Sequence, residues 1–318
     1  MKKLLISIVA FIGLIAAGLF VIRQTQGWND GMAHSRSEIH AAVLDDKIYV
    51  AGGIGLFRVL DSCESFHIQS KSWADCAPLP RPLHHVAMAA DNKSIFASGG
   101  YIALPFELDE EASLFALDPS KGGWKELSKL PHPIGQHAMI HKGGKLYLIG
   151  GQNGSKDLAT LWSYDLSAKQ WTALTPMPTA RHSHAIAVSD QKLYVSGGRS
   201  AALGSEIAIV EVYDFNSDSW KTLPKMPHGR GGHGSFVRAG KLHVFGGESL
   251  SQGKVLASHD ILDLQSATWT TGPELALPRH GFAVGDNGTG GVTILGGGAY
   301  PGLQTIYSVT GTTQTLTP

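Results

Sequence analysis

The sequence has no excess of charge of either sign. Its 318 residues include 26 Lys and Arg and 26 Asp and Glu, so a nucleic-acid binder, which normally carries a basic surface, is not expected. No block of five like charges occurs in the chain, which excludes a long charged tail. The sequence patterns of a nucleophile elbow, a P-loop and a zinc protease are also missing. We therefore predict no cofactor.

Helical periodicity is missing after residue 25, whereas glycine is abundant. The chain has 39 Gly and 15 Pro, and both residue types favour turns, glycine through positive φ and proline through a fixed φ. Frequent turns and no sustained apolar period of 3.6 residues are typical of many short strands. The composition therefore favours an all-β chain with a sizeable apolar core.

The N-terminus has a different character. Residues 4–22 carry no charge, and two lysines precede them. As a helix this run would be about 28 Å long, close to the hydrocarbon thickness of a bilayer. A cleaved signal peptide has a shorter apolar core followed by small residues, but the small residues at 16–18 lie inside the run.

Residues 1–25 are therefore predicted to be either an uncleaved signal-anchor or a signal peptide. In both cases the lysines stay in the cytoplasm and the rest of the chain is exported, by the positive-inside rule. The expected location is periplasmic or extracytoplasmic. If the segment is not cleaved, residues 4–22 attach the protein to the inner membrane.

Six segments of the remaining chain end in a glycine pair, at intervals of 47 to 51 residues. They are residues 47–53, 94–100, 145–151, 192–198, 241–247 and 292–298. Each has the β-branched and aromatic residues of a strand, and another short strand precedes it. A third strand and a fourth, opened by Trp in five repeats, follow each pair. Each repeat can thus form a four-stranded sheet.

The spacing of the outer two strands gives their register. In four repeats an anchor residue lies seven positions before the Trp, as in Phe66 and Trp73, which places the two side chains opposite each other across a hairpin. The same register puts Cys63 opposite Cys76. Opposed Cβ atoms lie within about 4.5–5.5 Å, near disulfide reach. In an exported protein we predict a structural disulfide; two free thiols are the alternative.

This pattern resembles the kelch family, whose repeats carry a glycine pair after an apolar strand, then an aromatic residue, a Trp, and an Arg and His that open the next repeat. The resemblance covers residues 28–318. It implies a six-bladed β-propeller of four-stranded antiparallel blades over residues 26–318. The expected blades are residues 36–80, 81–132, 133–178, 179–228, 229–277 and 278–318.

The sixth repeat departs from the pattern because it has no Trp. Its C-terminal TQTLTP segment is predicted to take the position of the fourth strand, since Tyr307 lies seven residues before Gln314. Trp28 is expected to pack where the two ends of the chain meet, between blades 6 and 1. Blade 1 has four strands of its own, so strand exchange at the closure is not required.

An Arg followed closely by a His opens five of the repeats. The arginines are Arg36, Arg81, Arg181, Arg230 and Arg279, and the histidines, including one in the repeat without Arg, are His40, His85, His137, His184, His233 and His280. If the first strand is innermost, as the resemblance implies, the arginines meet at one channel mouth and could bind an anionic ligand. The alternative is that they bind loop carbonyls within each blade. The histidines are interpreted as a structural repeat, because separate blades hold them too far apart for one metal ion.

The loops after the glycine pairs vary and are the expected specificity element. The longest, residues 101–112, contains four acidic residues but lacks the ligand spacing of a calcium loop, so a solvated surface is predicted. Glu248 and Lys254 share the fifth such loop and are weak candidates for acid–base chemistry.

Two functions remain open. The first is a binding module at the cell envelope for a protein or an anionic glycan, which the lack of a catalytic motif favours. The second rests on a weaker resemblance to the sialate mutarotases, isomerases acting on N-acetylneuraminate. Their acid and basic group would correspond to Glu248 and Lys254, although an arginine is expected at the second position. Fold resemblance alone does not decide between them.

Overall fold

The computed structural model describes residues 31–102 and 109–317. They form six main antiparallel sheets and four two-stranded ones in the loops, and the first strands of the six main sheets all line one central cavity. The predicted all-β, six-bladed propeller is thus confirmed. The segment predicted to be a signal or anchor, and Trp28, lie outside the described residues. Within those residues, no helix has the length and apolarity needed to cross a bilayer.

The blades contain 31 strands in all among the described residues. Blade 1 comprises β1 (Ala41–Leu44), β2 (Lys47–Ala51), β3 (Ile54–Gly55), β4 (Arg58–Val59), β5 (Cys63–His67) and β6 (Ser72–Cys76). Blade 2 comprises β7 (Ala87–Ala90), β8 (Ile95–Ser98), β9 (Ser113–Leu117) and β10 (Trp124–Lys129). Blade 3 comprises β11 (Ala138–Lys142), β12 (Lys145–Ile149), β13 (Gln152–Asn153), β14 (Lys156–Asp157), β15 (Leu161–Asp165) and β16 (Gln170–Leu174).

The second half of the ring is built in the same way. Blade 4 comprises β17 (Ala185–Ser189), β18 (Lys192–Ser196), β19 (Arg199–Ser200), a 3-10 turn (Ala201–Leu203), β20 (Ser205–Glu206), β21 (Val210–Asp214) and β22 (Ser219–Leu223). Blade 5 comprises β23 (Gly234–Arg238), β24 (Lys241–Phe245), β25 (Glu248–Ser249), β26 (Lys254–Val255), β27 (His259–Asp263) and β28 (Thr268–Thr271). Blade 6 comprises β29 (Ala283–Asp286), β30 (Val292–Leu295), a 3-10 turn (Gly302–Gln304), α1 (Thr305–Ser308) and β31 (Thr313–Leu316).

The glycine pairs join neighbouring blades. The second glycine of every pair donates its N–H to a backbone carbonyl of the next blade, and the sixth bond closes the ring. These bonds run from Gly53 to Leu83, Gly100 to Ile134, Gly151 to Arg181, Gly198 to Arg230, Gly247 to Arg279 and Gly297 to Arg36. Both glycines have positive φ in each pair, a conformation that other residues adopt at a cost. The repeated motif in the sequence is therefore the joint between blades.

The tryptophans of the fourth strands make a second set of joints at the rim. The indole N–H of Trp124 donates to Ala77 O of the preceding blade at 2.8 Å, and Trp220 donates to Thr175 O at 2.8 Å. Each ring also packs on its predicted partner, as in Phe66 and Trp73, whose centroids are 5.2 Å apart. The predicted seven-residue register of the outer hairpin is confirmed.

The two cysteines lie where that register places them. Cys63 in β5 is opposite Cys76 in β6, with Cα atoms 5.0 Å apart, and the two are joined by a disulfide. The predicted bridge is confirmed, and it links the two outer strands of blade 1. The bridge is expected to stabilise the blade by restricting the unfolded chain, an effect that is smaller for a short loop such as this one than for a long loop.

Blade 6 differs from the prediction. β31 pairs directly with β30, as Leu295 opposite Thr313 shows, so the C-terminal segment forms the third strand and not the fourth. The sheet has three strands among the described residues. The seven-residue spacing was misleading here because Tyr307 belongs to α1, a helical turn that replaces part of the usual loop and strand.

The two ends of the described chain meet at this blade, as predicted. Met32 N–H donates to Gly311 O at 3.1 Å. In the other blades the equivalent backbone bond is donated by a residue just after the fourth strand and accepted by a residue just before the third strand. Examples are Leu79 N–H to Asp61 O and Met226 N–H to Ala208 O. Blade 1 has four strands from its own repeat, as predicted, and the three described strands of blade 6 also come from one repeat. Among the described residues the closure therefore involves no exchanged strand.

Candidate functional site on the loop face

The loops that follow the glycine pairs all open on one face of the ring, which we call the loop face. In every blade the residue after the glycine pair bridges to a residue that lies just before the first strand of the same blade. These bridges pair Ser37 with Ile54, His84 with Tyr101, Gly135 with Gln152, His182 with Arg199, Gly231 with Glu248 and His280 with Gly298. The repeated fold thus brings different side chains to equivalent positions round the axis.

A ring of six residues, which we call the collar, surrounds the axis on this face. All six have φ between 46° and 60°, and they are Glu38, His85, Gln136, Ser183, Gly232 and Gly281. The backbone links them, since His85 N–H donates to Glu38 O and Gly232 N–H to Ser183 O, both at 2.9 Å. Left-handed backbone is uncommon for residues other than glycine and is often found at functional sites.

The collar lies over a cavity in the centre of the propeller. The cavity has a volume of about 240 Å³, and its wall below the collar is largely apolar, with Met88, Ile140, Ile186 and Val284 among the lining residues. A polar rim above an apolar wall is the arrangement expected of a site that orients a bound group.

The Glu38 carboxylate carries the strongest electrostatic interactions of the collar. One oxygen lies 2.8 Å from His85 Nε2, and the other lies 3.3 Å from His280 Nδ1. Burial raises the pKa of Glu38, but the two histidines outweigh that effect and hold the pKa well below its usual value. Glu38 therefore links blade 1 to blades 2 and 6 as a carboxylate.

A second carboxylate lies near the same ring nitrogen of His280. Glu248 Oε1 is 3.4 Å from His280 Nδ1, and Arg199 Nη2 of the preceding blade donates to it at 2.5 Å. Burial lowers the pKa of His280, yet Glu248 and Glu38 together raise it above the ordinary value. The imidazole is thus shared between two acids, and the site is an ionic network that extends across five blades, from Arg199 in blade 4 to His85 in blade 2.

Four acidic residues hold the tips of neighbouring loops together. Each accepts a hydrogen bond from a backbone N–H in the loop of the next blade, and we call them the inter-loop carboxylates. They pair Glu110 with Gly154 at 2.7 Å, Asp157 with Ala201 at 2.6 Å, Glu206 with Leu250 at 2.8 Å and Glu248 with Gly302 at 2.8 Å. Hydrogen bonds to a charged acceptor are stronger than neutral ones. The loop face is therefore held in one arrangement before any ligand arrives.

The predicted arginine ring is not at the channel mouth. Arg36, Arg181, Arg230 and Arg279 are almost completely buried, with exposures of 0–2%. Arg181 donates through Nη1 to Gly197 O and Ile209 O, and through Nη2 to the Glu211 carboxylate. Arg36 and Arg230 repeat this arrangement with Glu64 and Asp260. The guanidinium groups bind carbonyls within their own blades and are inaccessible to an anionic ligand.

Two repeats vary this arrangement. Gln314 stands where the other blades have a carboxylate, since it lies opposite Ile294 of the second strand. Burial without a carboxylate partner lowers the pKa of Arg279 to about 10. Arg81 is 45% exposed and forms an ion pair with Glu111 at 3.1 Å; the buried position in its repeat belongs to Leu83, which makes the equivalent backbone bond.

The histidines of the predicted structural repeat occupy several different positions. His137, His184 and His233 are equivalent and buried, and Ser98 Oγ and Ser196 Oγ bond to the first and third. His40 lies one residue further along its blade and bonds to Val86 O. His85 belongs to the collar and His280 to the ionic network. The predicted repeat therefore grouped buried structural histidines, such as His137, with His85 and His280, which belong to the site.

Burial gives the three equivalent histidines low pKa values. The pKa of His137 falls to about 3, and those of His184 and His233 fall well below the ordinary value. Because the unfolded chain then binds protons first as the pH falls below about 6.5, each imidazole removes stability at about 1.4 kcal/mol per pH unit. His280 has the opposite sign: its contribution is present below about 6.5 and is lost as the pH rises through its raised pKa.

We expect the free energy of unfolding to decrease between pH 6.5 and pH 5, because the pKa is lowered in seven described histidines, these three and four others, and raised in one. Replacing His137→Asn removes one of the seven groups. The decrease should then become smaller by about 1.4 kcal/mol per pH unit, measured by urea unfolding at several pH values. The exposed His228→Asn is the matched control and should leave the slope unchanged. An equal slope in His137→Asn and the parent protein would contradict this explanation.

The predicted pair Glu248 and Lys254 is not assembled as an acid–base pair. Glu248 is 4% exposed, and its ion pairs are with Arg199 and His280. Lys254 is exposed on the adjacent strand, opposite Ser249. In the acidic loop of blade 2, Glu110 binds the loop of blade 3 and Glu111 binds Arg81. Among residues 31–102 and 109–317, no group of acidic, histidine and cysteine side chains could hold a metal ion.

The large apolar side chains that reach solvent are concentrated on the loop face. Six of the seven in the described chain belong to the loops of blades 4, 5, 6 and 1, and we call them the apolar crescent: Leu203, Leu250, Tyr300, Leu303, Leu56 and Phe57, with exposures of 37–57%. The seventh, Val188, lies on the first strand of blade 4 away from these loops. An exposed apolar patch with a polar border is typical of an interaction surface.

The chain matches a family model described as the KLHDC2/KLHL20/DRC7 Kelch-repeats domain, over residues 40–226. The chain belongs to the Kelch-repeat family. Among curated proteins it is similar to human Kelch-like protein 28, with 30% identity over 114 residues, 34% of this chain and 20% of that protein. It is also similar to alpha-scruin of Limulus polyphemus, with 28% identity over 141 residues, 42% of this chain and 15% of that protein.

A third Kelch-repeat relative is Kelch repeat and BTB domain-containing protein 12 of Danio rerio, with 24% identity over 128 residues, 37% of this chain and 20% of that protein. The chain thus spans about a fifth or less of the length of these three relatives.

Sequence reasoning missed the collar and the apolar crescent. A signal for the collar was present, because its members follow Arg36, Arg181, Arg230 and Arg279 at a constant distance of two residues. The inter-loop carboxylates had no such signal, since loops of different length place them at different distances from the glycine pairs.

Proposed function

We propose that the protein is an interaction module whose loop face binds a partner protein through the apolar crescent. The observation that carries this proposal is the location of the exposed apolar side chains: six of the seven lie on this face, in four adjacent blades. Kelch propellers are typically protein-interaction modules, and this surface is a place where such an interaction can occur.

The rigidity of the face supports the proposal. The inter-loop carboxylates fix the tips that carry Leu203 and Leu250, because Asp157 binds Ala201 N–H and Glu206 binds Leu250 N–H. Loops that are ordered in advance lose little conformational entropy when they bind. An anionic glycan finds less support, since four of the arginines proposed to receive it are buried.

We further propose that the module is exported and acts at the cell envelope. The uncharged run at residues 4–22 and the Cys63–Cys76 disulfide support this location, because disulfides persist in oxidising compartments. The measurement is alkylation of the protein in fractionated cells, followed by mass spectrometry. Cysteines that react without prior reduction, in protein from the soluble cytoplasm, would contradict export.

The proposed binding face can be tested with a surface variant. Replacing Leu203→Ser, Leu250→Ser and Leu303→Ser together should abolish association with the native partner, because each removes an exposed apolar contact without disturbing the core. The measurement is affinity purification of the tagged protein from its own cells, with quantitative mass spectrometry. Val188→Ser, on the other side of blade 4, is the matched control. Partner retained by the triple variant, with both variants equally stable to heat, would disprove the role of the crescent.

A further inference from the structure

We infer that the segment bound by the apolar crescent is acidic: apolar side chains of the partner rest on the crescent, and its carboxylates lie near Arg58 and Lys254. This inference rests on the proposed function and adds the chemistry of the partner. Its basis is the distribution of unpaired charge round the crescent, which the interaction surface alone does not require.

The crescent is one continuous surface. Leu250 Cδ2 is so close to Gly302 that a Cβ at that glycine would lie 3.3 Å away, which joins the loops of blades 5 and 6. Phe57 N–H donates to Ile306 O at 3.0 Å, which joins blade 6 to blade 1. Leu203 belongs to the loop of blade 4, whose Glu206 binds the Leu250 N–H. A single partner segment can therefore contact all four loops.

Two of the three acids in these four loops are already paired. Burial alone would raise the pKa of Glu206, but hydrogen bonds from Ser205 and the Leu250 N–H outweigh burial and lower the pKa to about 2. Glu248 binds Arg199 and the Gly302 N–H. Arg199 lies between both acids. Asp61 is the one acid of these loops that is exposed and has no ion-pair partner among the described residues.

Two cationic side chains in the same loops form no ion pair with the described residues. Arg58 follows Phe57 at the tip of the β3–β4 hairpin, and Lys254 lies opposite Ser249 in the β25–β26 hairpin. Both side chains are exposed, and neither has an ion-pair partner in the part of the chain that the structure describes. Two unpaired cations outnumber the one unpaired acid, Asp61, so the net unpaired charge beside the crescent is positive, and complementary charge on the partner is negative.

The remaining half of the face has the opposite sign at blade 2. Asp109 is exposed there, and Glu110 shares its negative charge only with the Gly154 N–H. An acidic segment lying across blade 2 would be repelled, whereas one lying along blades 4, 5, 6 and 1 would not. Blade 3 contributes the exposed Lys156, so the negative charge is confined to blade 2. The difference in sign between blade 2 and the crescent thus selects both the position and the charge of the bound segment.

The test uses the purified propeller and three synthetic peptides. All three have leucine and phenylalanine at the same positions, and they carry glutamate, glutamine or lysine between them. Fluorescence anisotropy at low salt should give tightest binding for the glutamate peptide, about tenfold tighter than for the lysine peptide, which corresponds to about 1.4 kcal/mol. Charge reversal with Arg58→Glu and Lys254→Glu should invert the order of the two charged peptides.

Each outcome is decisive for the charge of the partner. Equal binding of the glutamate and lysine peptides, tighter binding of the lysine peptide, or an order unchanged by the double charge reversal would overturn the inference, as would a lack of binding by all three. The proposed function can survive that result, because loss of the native partner in the triple serine variant depends on the apolar side chains. Retention of the partner in that variant would instead remove the proposed function itself.

Discussion

Replacing Arg181 with methionine is expected to lower the free energy of unfolding by about 3–5 kcal/mol, the range for breaking a buried ion pair from one side. Arg181 is fully buried, and its Nη2 donates to Glu211 Oε2 at 2.7 Å. Without it, the Glu211 carboxylate stays buried without a cation, and the carbonyls of Gly197 and Ile209 each lose a donor. The measurement is urea unfolding at neutral pH.

Two further variants show whether the effect comes from the buried pair. Arg58→Met removes an exposed arginine and should change stability by less than about 0.5 kcal/mol. The double variant Arg181→Met, Glu211→Met should be more stable than the single variant, because no charge remains buried. If Arg181→Met lowered the free energy of unfolding as little as Arg58→Met, Arg181 would not be a structural element. Its availability to a ligand would then have to be reconsidered.

Replacing Gly52 with alanine is expected to destabilise the protein by more than about 4 kcal/mol, a level reached by few single substitutions. Gly52 has φ of +68°, and a Cβ there would lie 2.2 Å from Leu83 O of the next blade. That same carbonyl accepts the Gly53 N–H. Relief of the clash therefore requires the joint between blades 1 and 2 to open.

Gly154 provides the matched control for this substitution. It has φ of +56°, and nothing lies within 4 Å of a Cβ at this position. Gly154→Ala should thus cost only the conformational strain, about 1–2 kcal/mol. Thermal unfolding of the two variants separates the two costs. Equal losses in Gly52→Ala and Gly154→Ala would show that backbone conformation alone explains the glycine pairs, and that the joint contributes little.

The fold was predictable because its sequence signals are local and repeated. Gly pairs, turn residues and the spacing of Phe66 and Trp73 each report a contact inside one hairpin, and the same register correctly placed Cys63 opposite Cys76. Blade 6 was the exception. The spacing from Tyr307 to Gln314 matched the repeat, but a helical turn at Thr305–Ser308 shifts the last strand inward to the third position.

The site was less predictable, because it depends on contacts between blades. Arg36 and Arg279 looked like ligand-binding residues since their spacing repeats, but a position repeated in every blade faces the same local partners, here backbone carbonyls. Glu38 and Arg199 do not repeat, and each contacts residues far away in sequence. Repetition therefore identified the joints of the propeller, whereas the residues of the loop-face site depart from the repeat.

The structure assigns separate tasks to the two sets of residues. Buried arginines, glycine pairs and rim tryptophans hold the blades together, and none of them needs to contact a ligand. The loop face can then vary freely in sequence, and here it combines fixed loop tips with exposed apolar side chains. This division explains how one repeat unit can support a surface with no internal symmetry.

Photo-crosslinking in cells tests the central claim, that the loop face binds the partner, most directly. A photoreactive amino acid is placed at Leu203, Leu250 or Leu303 in the crescent, or at Val188 away from it, in otherwise native protein. We predict that the three crescent positions give the same protein adduct and that position 188 does not. Adducts formed from position 188, with none from the crescent, would contradict the claim.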